Sequence, residues 1–281
     1  MSAAGDPVRR VAVVGHVEHV TLGNVPALPA PGDIVHLDAP IWFPGGGGGV
    51  TFFQLLRSAA EVHLFTAIGG DDAAHAVSAR LGATRAIVHA AHRDEPHTRD
   101  LVLVTPGGER TIVVVGAPLQ ARIDDPLPWD VLGTCDAVFF AGQDADILRA
   151  ARASRVLVVT ARRRPVLLRS GVRADVVVGS VSDPLEASTL ADYPVAPDAL
   201  VMTEGAAGGR VETRDGVVRF AAAPVPGVRR ASYGAGDSFA GALTWYVARG
   251  LPVVGACSRA AVHGAAVLVG PTPLESQLPL V

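Results

Sequence analysis

The sequence predicts an α/β fold: a doubly wound, mostly parallel sheet flanked by helices, with a small β-sheet beside it. Two observations lead to this prediction. Short apolar segments rich in β-branched residues alternate with helix-like segments along most of the chain, and two additional strand regions interrupt that alternation early. Of the 281 residues, 49% are hydrophobic and 18% are charged, which suits a large buried core.

The first half of the chain supplies both sheets. The run RRVAVVG, which ends at Gly15, is typical of a buried strand. A Pro- and Gly-rich excursion follows, in which Ile34, Val35 and Leu37 indicate short strands, and then come a helical segment, VTFFQLLRSAA, and a second strand, EVHLFTAIGG. In RDLVLVTPGGERTIVVV, apolar residues flank a Gly-Gly turn, as in a β-hairpin. We expect the excursion and the hairpin to form the small sheet.

The second half continues the α/β alternation. It contains four short apolar strands, DAVFFAG, RVLVVTA, ADVVVGS and DALVMTEG, with a helical segment, DILRAARAS, between the first two. Near the C-terminus, Phe239, Leu243, Tyr246 and Val247 have the spacing of an amphipathic helix, which Gly250 terminates. A second Ala-rich helix follows in VVGACSRAAVHGAAVLVG.

Composition narrows the possible partners. The formal net charge of -3 provides no basic surface for nucleic acid. All 24 residues counted as Lys+Arg are arginine, so a bound phosphate must be stabilised by Arg, His, a metal ion or backbone N–H groups. No apolar run reaches the roughly 18 to 20 residues of a membrane span, and the first residues lack a signal-peptide pattern. We therefore expect a cytoplasmic protein with no membrane partner.

The segment SYGAGDSFAGAL, which begins at Ser232, carries the clearest chemical signal. Small residues at the start of a helix allow close approach of a ligand, and the unpaired N–H groups there attract anions. Asp237 follows Gly234, Ala235 and Gly236 directly. A carboxylate at this position serves as a general base, as a metal ligand or simply as a helix-capping residue.

Two more glycine-rich segments adjoin predicted elements, one before a helix and one after a strand. PGGGGG contains Gly45, Gly46 and Gly47 and stands before a helix, where it predicts either close contact with a ligand or a flexible loop. TEGAAGG, which includes Thr203, follows an apolar strand. The carboxyl end of a parallel strand is the usual ligand position in doubly wound sheets.

Taken together, these segments resemble the ribokinase-like, phosphofructokinase-B type family of carbohydrate kinases. The run Gly234 to Phe239 is the most specific match, and PGGGGG resembles the N-terminal signature of that family. TPGGERT resembles its lid hairpin, TEGAAGG its nucleotide loop, and GSVSD stands where the family has an Asn-x-x-Glu motif. The resemblance covers almost the whole chain. It implies one domain over residues 1–281, with a small β-sheet lid at roughly 17–44 and 95–118.

The resemblance also implies an activity, the transfer of a phosphoryl group from Mg-ATP to a hydroxyl, and a role for individual residues. Asp237 becomes the general base, and the backbone N–H groups of Gly234, Ala235 and Gly236 become the anion hole. Asp183 would hold Mg²⁺ through water. The nucleotide would be bound by Thr203, Gly205, Gly208, His263 and Gly264, although His263 has the alternative of an ordinary core or surface histidine.

The acceptor side departs from the family pattern. The family places an Asp that grips sugar hydroxyls where this chain has Val20, and Ser180 replaces the Asn of Asn-x-x-Glu. Ala231 replaces an Asp that helps hold a monovalent cation in relatives, so we do not expect potassium activation. The candidate acceptor-binding residues are His16, Glu18, Gly45, Gly46, Gly47, Thr98 and Arg99. For His16, Glu18, Thr98 and Arg99 the alternative is an ordinary lid or surface residue.

Two classes of function follow from this pattern. The first is an ATP-dependent kinase acting on a hydroxyl, most simply a hydroxymethyl group, of a sugar, a nucleoside or a similar polyol. The second is a catalytically weak ligand-binding or regulatory protein on the same fold. The retained Asp237 favours the enzyme, because a pure binding protein has little need for a general base. The apolar segment DIVHLDAPIWF in the excursion predicts a homodimer formed through the lid.

Overall fold

The structure is a computed structural model that describes residues 7–281, and its larger sheet has nine strands. In spatial order these run β13-β12-β11-β10-β9-β8-β1-β4-β5. The neighbours from β11 to β5 pair in parallel, whereas β12 and β13 extend one edge antiparallel. The strands are β1 (Arg10–Val14), β4 (Glu61–Ile68), β5 (Ile87–His92), β8 (Ala137–Phe140), β9 (Leu157–Thr160), β10 (Val176–Ser180), β11 (Ala199–Thr203), β12 (Gly209–Thr213) and β13 (Gly216–Phe220).

Helices cover both faces of this sheet because successive strand residues point to opposite sides. Val11 and Val13 of β1 face one core, and Ala12 and Val14 face the other. The first core is covered by α1 (Gly46–Leu55), α2 (Asp72–Gly82), α5 (Ala235–Ala248) and α6 (Val253–Ala266). The second is covered by α3 (Ala145–Ala151) and α4 (Arg164–Ser170), and a short α7 (Pro273–Ser276) lies near the C-terminus. The predicted doubly wound fold is therefore confirmed.

The smaller sheet, called the lid below, consists of β2 (Glu18–Asn24), β3 (Asp38–Gly45), β6 (Arg99–Val104) and β7 (Arg110–Val115). Its order is β3-β2-β6-β7, with β2 and β6 parallel. One face of the lid, including Val20, Val102 and Phe43, packs on Tyr233 next to α5. The backbone N–H of Ser232 also donates to the carbonyl of Gly108 in the β6–β7 turn, at 3.0 Å. The lid and the start of α5 are therefore directly joined.

One local expectation is corrected by the structure. The glycine run does not stand before the helix as a flexible loop, because Gly46 through Gly49 form the first turn of α1. Glycine is a poor helix former, so close packing rather than propensity selects it there.

The helices of the described residues are too short and too polar to cross a bilayer. The longest, α5 and α6, have 14 residues each, compared with the roughly 20 that a span requires.

Candidate active site

The candidate site lies at the carboxyl ends of the parallel strands, where the winding of the sheet changes direction. From β1 the chain moves outward through β4 and β5, and it later returns to the other side of β1 at β8 and continues outward to β11. Connections leave such a switch point on opposite sides and open a crevice, which is where ligands bind in sheets of this kind. The segment after β1, the start of α1 and the start of α5 all meet there.

The start of α5 has the geometry that favours a bound anion. Gly234 caps the helix with a φ of 79°, in the left-handed region that glycine adopts without strain. The first bond of the helix runs from the N–H of Ser238 to the carbonyl of Gly234, so the N–H groups of Ala235 and Gly236 precede the helical ladder. A Cβ added to Gly236 would meet no atom within 4 Å, so open space lies directly in front of it.

Asp237 stands at the edge of this open space and is partly buried. Burial, reinforced by the negative charge of Glu186, raises its pKa to about 6, and the positive charge of Arg110 opposes that shift. The carbonyl of Asp237 accepts a hydrogen bond from the Thr51 hydroxyl of α1 at 3.2 Å. The backbone of α5 at Asp237 is therefore tied to α1, and the carboxyl group has a pKa suited to accepting a proton near neutral pH.

The first turn of α1 forms the opposite wall of the site. A Cβ on Gly47 would lie 3.4 Å from Oδ1 of Asp237, and one on Gly48 would lie 2.6 Å from the carbonyl oxygen of His16. The N–H of Gly46 donates to the hydroxyl oxygen of Tyr233 at 2.9 Å, and Gly45 also contacts this residue. Glycine is needed here because the helix backbone approaches the β1–β2 connection and Asp237 with no room for side chains.

His16 and Glu18 line the same wall. Oε1 of Glu18 lies 3.5 Å from Nε2 of His16. The pKa of His16 is lowered to about 4, mainly by burial and further by Arg163 and Arg162, so the imidazole is neutral at physiological pH. Glu18 hydrogen-bonds to Asp100 of β6, and burial followed by this contact raises its pKa well above the ordinary range. Sequence reasoning missed Asp100, which only the packing of the lid brings to the site, and Tyr233, which directly precedes Gly234 and was not singled out.

Three arginines also surround the site and were not predicted. Arg162 and Arg163 follow β9 directly, and their positive charges act on His16, while Arg163 donates from Nε to the carbonyl of Ala141 at 2.7 Å. Arg110, from the lid, acts on Asp237. A signal for the first two was present, since TARRR follows an apolar strand whose carboxyl end faces the crevice.

Asp183 and Glu186 form an acidic cluster just after β10. Asp183 is bound to Arg162, which also lies 3.6 Å from Oε1 of Glu186. Oε2 of Glu186 accepts from the N–H of Ser180 at 3.0 Å, where β10 ends. Burial and the charge of Asp183 raise the pKa of Glu186. The sequence pointed to Asp183 alone, as a magnesium ligand. The structure shows that Glu186, three positions later, shares Arg162 with Asp183. Of the neighbouring charges, that of Glu186 has the strongest effect on the pKa of Asp237.

The predicted nucleotide loop follows β11. Thr203 ends that strand, and its hydroxyl donates to the carbonyl of Gly179 at 3.2 Å, which ties the ends of β10 and β11 together. Gly205 and Gly208 have φ values of 59° and 84° and enclose a short 3₁₀ turn. These glycines give the loop its left-handed turns beside the carboxyl end of β11.

His263 and Gly264 lie between α5 and α6. The side chain of His263 is buried, with 3% exposure, and its Nε2 lies 3.1 Å from the hydroxyl oxygen of Tyr246. Such a contact is typical of a core histidine. A Cβ on Gly264 would lie 3.1 Å from the carbonyl oxygen of Ala235. Gly264 therefore permits α6 to pack against the first turn of α5, and in this way it positions the anion site.

Thr98 and Arg99 make contacts within the fold. The Thr98 hydroxyl donates to the carbonyl of Ala117 at 2.8 Å, and the guanidinium of Arg99 is paired with Asp71 at 2.7 Å. Arg99 also lines a cavity of about 760 Å³ together with Gln143, at the side of the lid. Both side chains therefore already have bonding partners within the fold, and their role in binding an acceptor remains a prediction.

Comparison with solved structures identifies the fold. A putative ribokinase from Agrobacterium tumefaciens superposes with a TM-score of 0.77 at 19% identity, over 97% of this chain and 95% of its own. Ribokinase from Cryptococcus neoformans var. grubii in complex with ADP gives 0.74 at 18% identity, over 98% of each chain. A nucleoside kinase from Methanocaldococcus jannaschii gives 0.73 at 14% identity, over 98% and 96%.

No protein-family model matches the sequence, and neither does any curated protein. At identities of this size the structural matches establish the fold, which is the ribokinase-like fold that the sequence motifs predicted. The chemistry has to be argued from the site itself.

Proposed function

Because the chain has the ribokinase-like fold, we propose that it is an ATP-dependent phosphotransferase that phosphorylates a hydroxyl group of a sugar-like small molecule. One observation carries this proposal. A carboxyl group, Asp237, adjoins the free N–H groups of Ala235 and Gly236 at a helix start that opens into the crevice. A general base beside an anion site is the arrangement that transfer of a phosphoryl group to an alcohol requires.

In this function Asp237 accepts the proton of the acceptor hydroxyl as its oxygen attacks the terminal phosphorus. The N–H groups at the start of α5 donate to the phosphoryl oxygens, whose charge is also compensated by nearby arginines. Arg110 of the lid is suited to this role, because its charge reaches both Asp237 and Glu186. Arginine thus replaces lysine as the source of cationic stabilisation in this chain.

The nucleotide is assigned to the loop after β11. Thr203, Gly205 and Gly208 lie at the carboxyl end of that strand, and Gly264 holds α6 against the anion site. Ribokinase from Cryptococcus neoformans is in complex with ADP, which supports a nucleotide donor here. His263 is the weakest member of the predicted set, because Tyr246 already occupies its Nε2.

Magnesium fits the donor set on the acidic side of this end. Asp183 and Glu186 are oxygen ligands of the type that Mg²⁺ prefers, and Mg²⁺ usually keeps several waters while bound by one or two carboxylates and substrate phosphates. When bound, the ion would neutralise phosphate charge. Arg162 neutralises the carboxylates in the structure, and the raised pKa of Glu186 is what a buried carboxyl near a second negative charge shows.

The function is tested by measuring ADP release with ATP and Mg²⁺ over a panel of sugars, amino sugars, polyols and nucleosides. We expect acceptor-dependent release and a phosphorylated product that mass spectrometry detects. If the nucleotide and an acceptor both stabilise the protein against thermal unfolding and no acceptor in the panel is phosphorylated, the chain is a binding protein on this fold and the proposal fails.

We also propose that two copies associate through the outer face of the lid. Trp42 and Val113, exposed by 43% and 46%, lie in one cross-strand row with Thr21 and Leu101, on the side turned away from α5. Sedimentation is expected to give twice the mass of one chain. Trp42→Glu should shift it to a monomer, whereas Val262→Glu, an equally exposed position on α6, should not. A wild-type monomer at micromolar concentration would contradict this proposal.

A further inference from the structure

Two carboxyl groups are buried side by side under the lid. Glu18 begins β2 and Asp100 belongs to the neighbouring strand β6, and each residue is only 5% exposed. Asp100 is paired with Val20, two positions after Glu18 on β2, so the two side chains lie on the same face of the lid and are close enough to share a hydrogen. Two ionised carboxylates have no hydrogen to share, so this contact requires one proton held between them. The pair therefore carries a single negative charge in the ligand-free protein.

The surroundings of this pair do not compensate it. Within the described residues, Oδ1 of Asp100 is buried and has no hydrogen-bond partner. The titratable groups that face the pair are His16, Tyr233, Asp237 and Arg163. Of these, only Arg163 is cationic, and its Nε is already committed to the carbonyl of Ala141. Burial raises the pKa of both carboxyl groups, as expected when negative charge lacks partners.

The pair belongs to the wall of the candidate active site. A Cβ on Gly46 would lie 2.9 Å from Oε2 of Glu18, and one on the next residue, Gly47, would lie 3.4 Å from Oδ1 of Asp237. The carboxyl pair therefore lies beside Gly46 and the proposed base lies beside Gly47, the next residue. A small acceptor whose hydroxyl reaches Asp237 would present its neighbouring substituent to Glu18 and Asp100.

From this arrangement we propose that the acceptor carries a protonated amino group, which replaces the shared proton and forms ion pairs with Glu18 and Asp100. The acceptor class is then an amino sugar, an aminocyclitol or another amine-bearing polyol, and this inference rests on the proposed function. Binding releases the shared proton to solvent, so the pair becomes two carboxylates and the ammonium group compensates the added charge. A hydroxyl supplies one hydrogen bond and no charge, and a second buried carboxylate without a cation is costly.

The test compares matched ligands by calorimetry: glucosamine with glucose, in which the ammonium group replaces a hydroxyl, and Tris with tris(hydroxymethyl)ethane, in which it replaces a methyl group. Hydrogen bonds to charged groups are the strong ones, so we expect the amine to bind at least about tenfold more tightly in one or both pairs. The number of protons released on binding is obtained at pH 7 from the difference in binding enthalpy between phosphate and imidazole buffers, whose ionisation enthalpies differ. We expect about one proton to be released per bound amine.

Glu18→Gln serves as the matched variant, because it keeps the shape and removes one of the two carboxyl groups together with the shared proton. The preference for the amine should fall in this variant, since only Asp100 can pair with the ammonium group, and the release of a proton on binding should disappear. In the wild-type protein, equal affinity within both ligand pairs, failure of both amines to bind, or amine binding without proton release would each overturn the proposal.

The outcomes of this binding test can be distinguished from the outcomes of the test for phosphotransferase activity. An amine that binds with proton release and is never phosphorylated keeps the inference about the ligand and rejects the kinase. An acceptor that is neutral and efficiently phosphorylated keeps the kinase and rejects the inference.

Discussion

Replacing Asp237 with asparagine is expected to lower kcat for phosphoryl transfer by about 10² to 10⁴, the usual contribution of a positioned general base. Asparagine has nearly the same size, so the contact between the Asp237 carbonyl and Thr51 remains. ADP release with the acceptor found in the panel measures the effect. Thermal stabilisation by nucleotide and acceptor should be preserved, which separates a loss of chemistry from a loss of binding.

The pH dependence of kcat/KM provides a second test of the Asp237 carboxyl group as the base. The base must be ionised, and its pKa is raised to about 6, so kcat/KM should fall about tenfold per pH unit below pH 6 and level off above it. Glu186→Gln removes the negative charge that helps to raise this pKa, and the acid limb should then move to lower pH. A flat profile between pH 5 and 8, or full activity in Asp237→Asn, would rule out Asp237 as the base.

Gly48→Ala is expected to lower the free energy of unfolding by about 2 to 4 kcal/mol. The added Cβ would meet the carbonyl oxygen of His16 at 2.6 Å and the carbonyl carbon and Cα of Gly15 at 2.7 and 2.9 Å. All three are backbone atoms at the end of the central strand β1, which has no freedom to move aside. Chemical denaturation monitored by circular dichroism measures the change.

Gly255→Ala is the matched control, since this glycine also lies in the first turn of a helix, α6. A Cβ there would meet no atom within 4 Å, so the substitution should stabilise the protein by up to about 1 kcal/mol through helix propensity. The two substitutions are thus expected to have opposite signs. Equal stabilisation by both would show that α1 does not pack against the β1–β2 connection as described.

Much of the fold was predictable because its signals are local. The apolar segments identify β8 through β11 individually, and the Gly-Gly turn identifies the β6–β7 hairpin. Asp237 and its glycines were predictable for the same reason, since a helix start and the residues around it are contiguous in sequence. For the glycines of α1 the sequence left close contact with a ligand and a flexible loop as alternatives, because the close approach of Gly15 to α1 is not visible in the sequence.

The remaining site residues depend on tertiary packing. Asp100 reaches Glu18 only because β2 and β6, about eighty residues apart, are neighbours in the lid. Glu186, which the sequence did not single out, has the strongest charge effect on Asp237, because the chain turns back after β10 and Glu186 accepts from the N–H of Ser180. Thr98 and Arg99 form bonds within the fold, which the sequence does not reveal, and their role in binding an acceptor stays a prediction.

The hydrogen bond between Ser232 and Gly108 has a mechanical consequence for this molecule. It connects the turn of the lid to the residue two positions before the helix cap at Gly234, and the lid also packs on Tyr233. A ligand that pushes the lid outward therefore pulls on the same short segment that aims the N–H groups of α5. The position of the lid and the orientation of the start of α5 are in this way coupled through three consecutive residues.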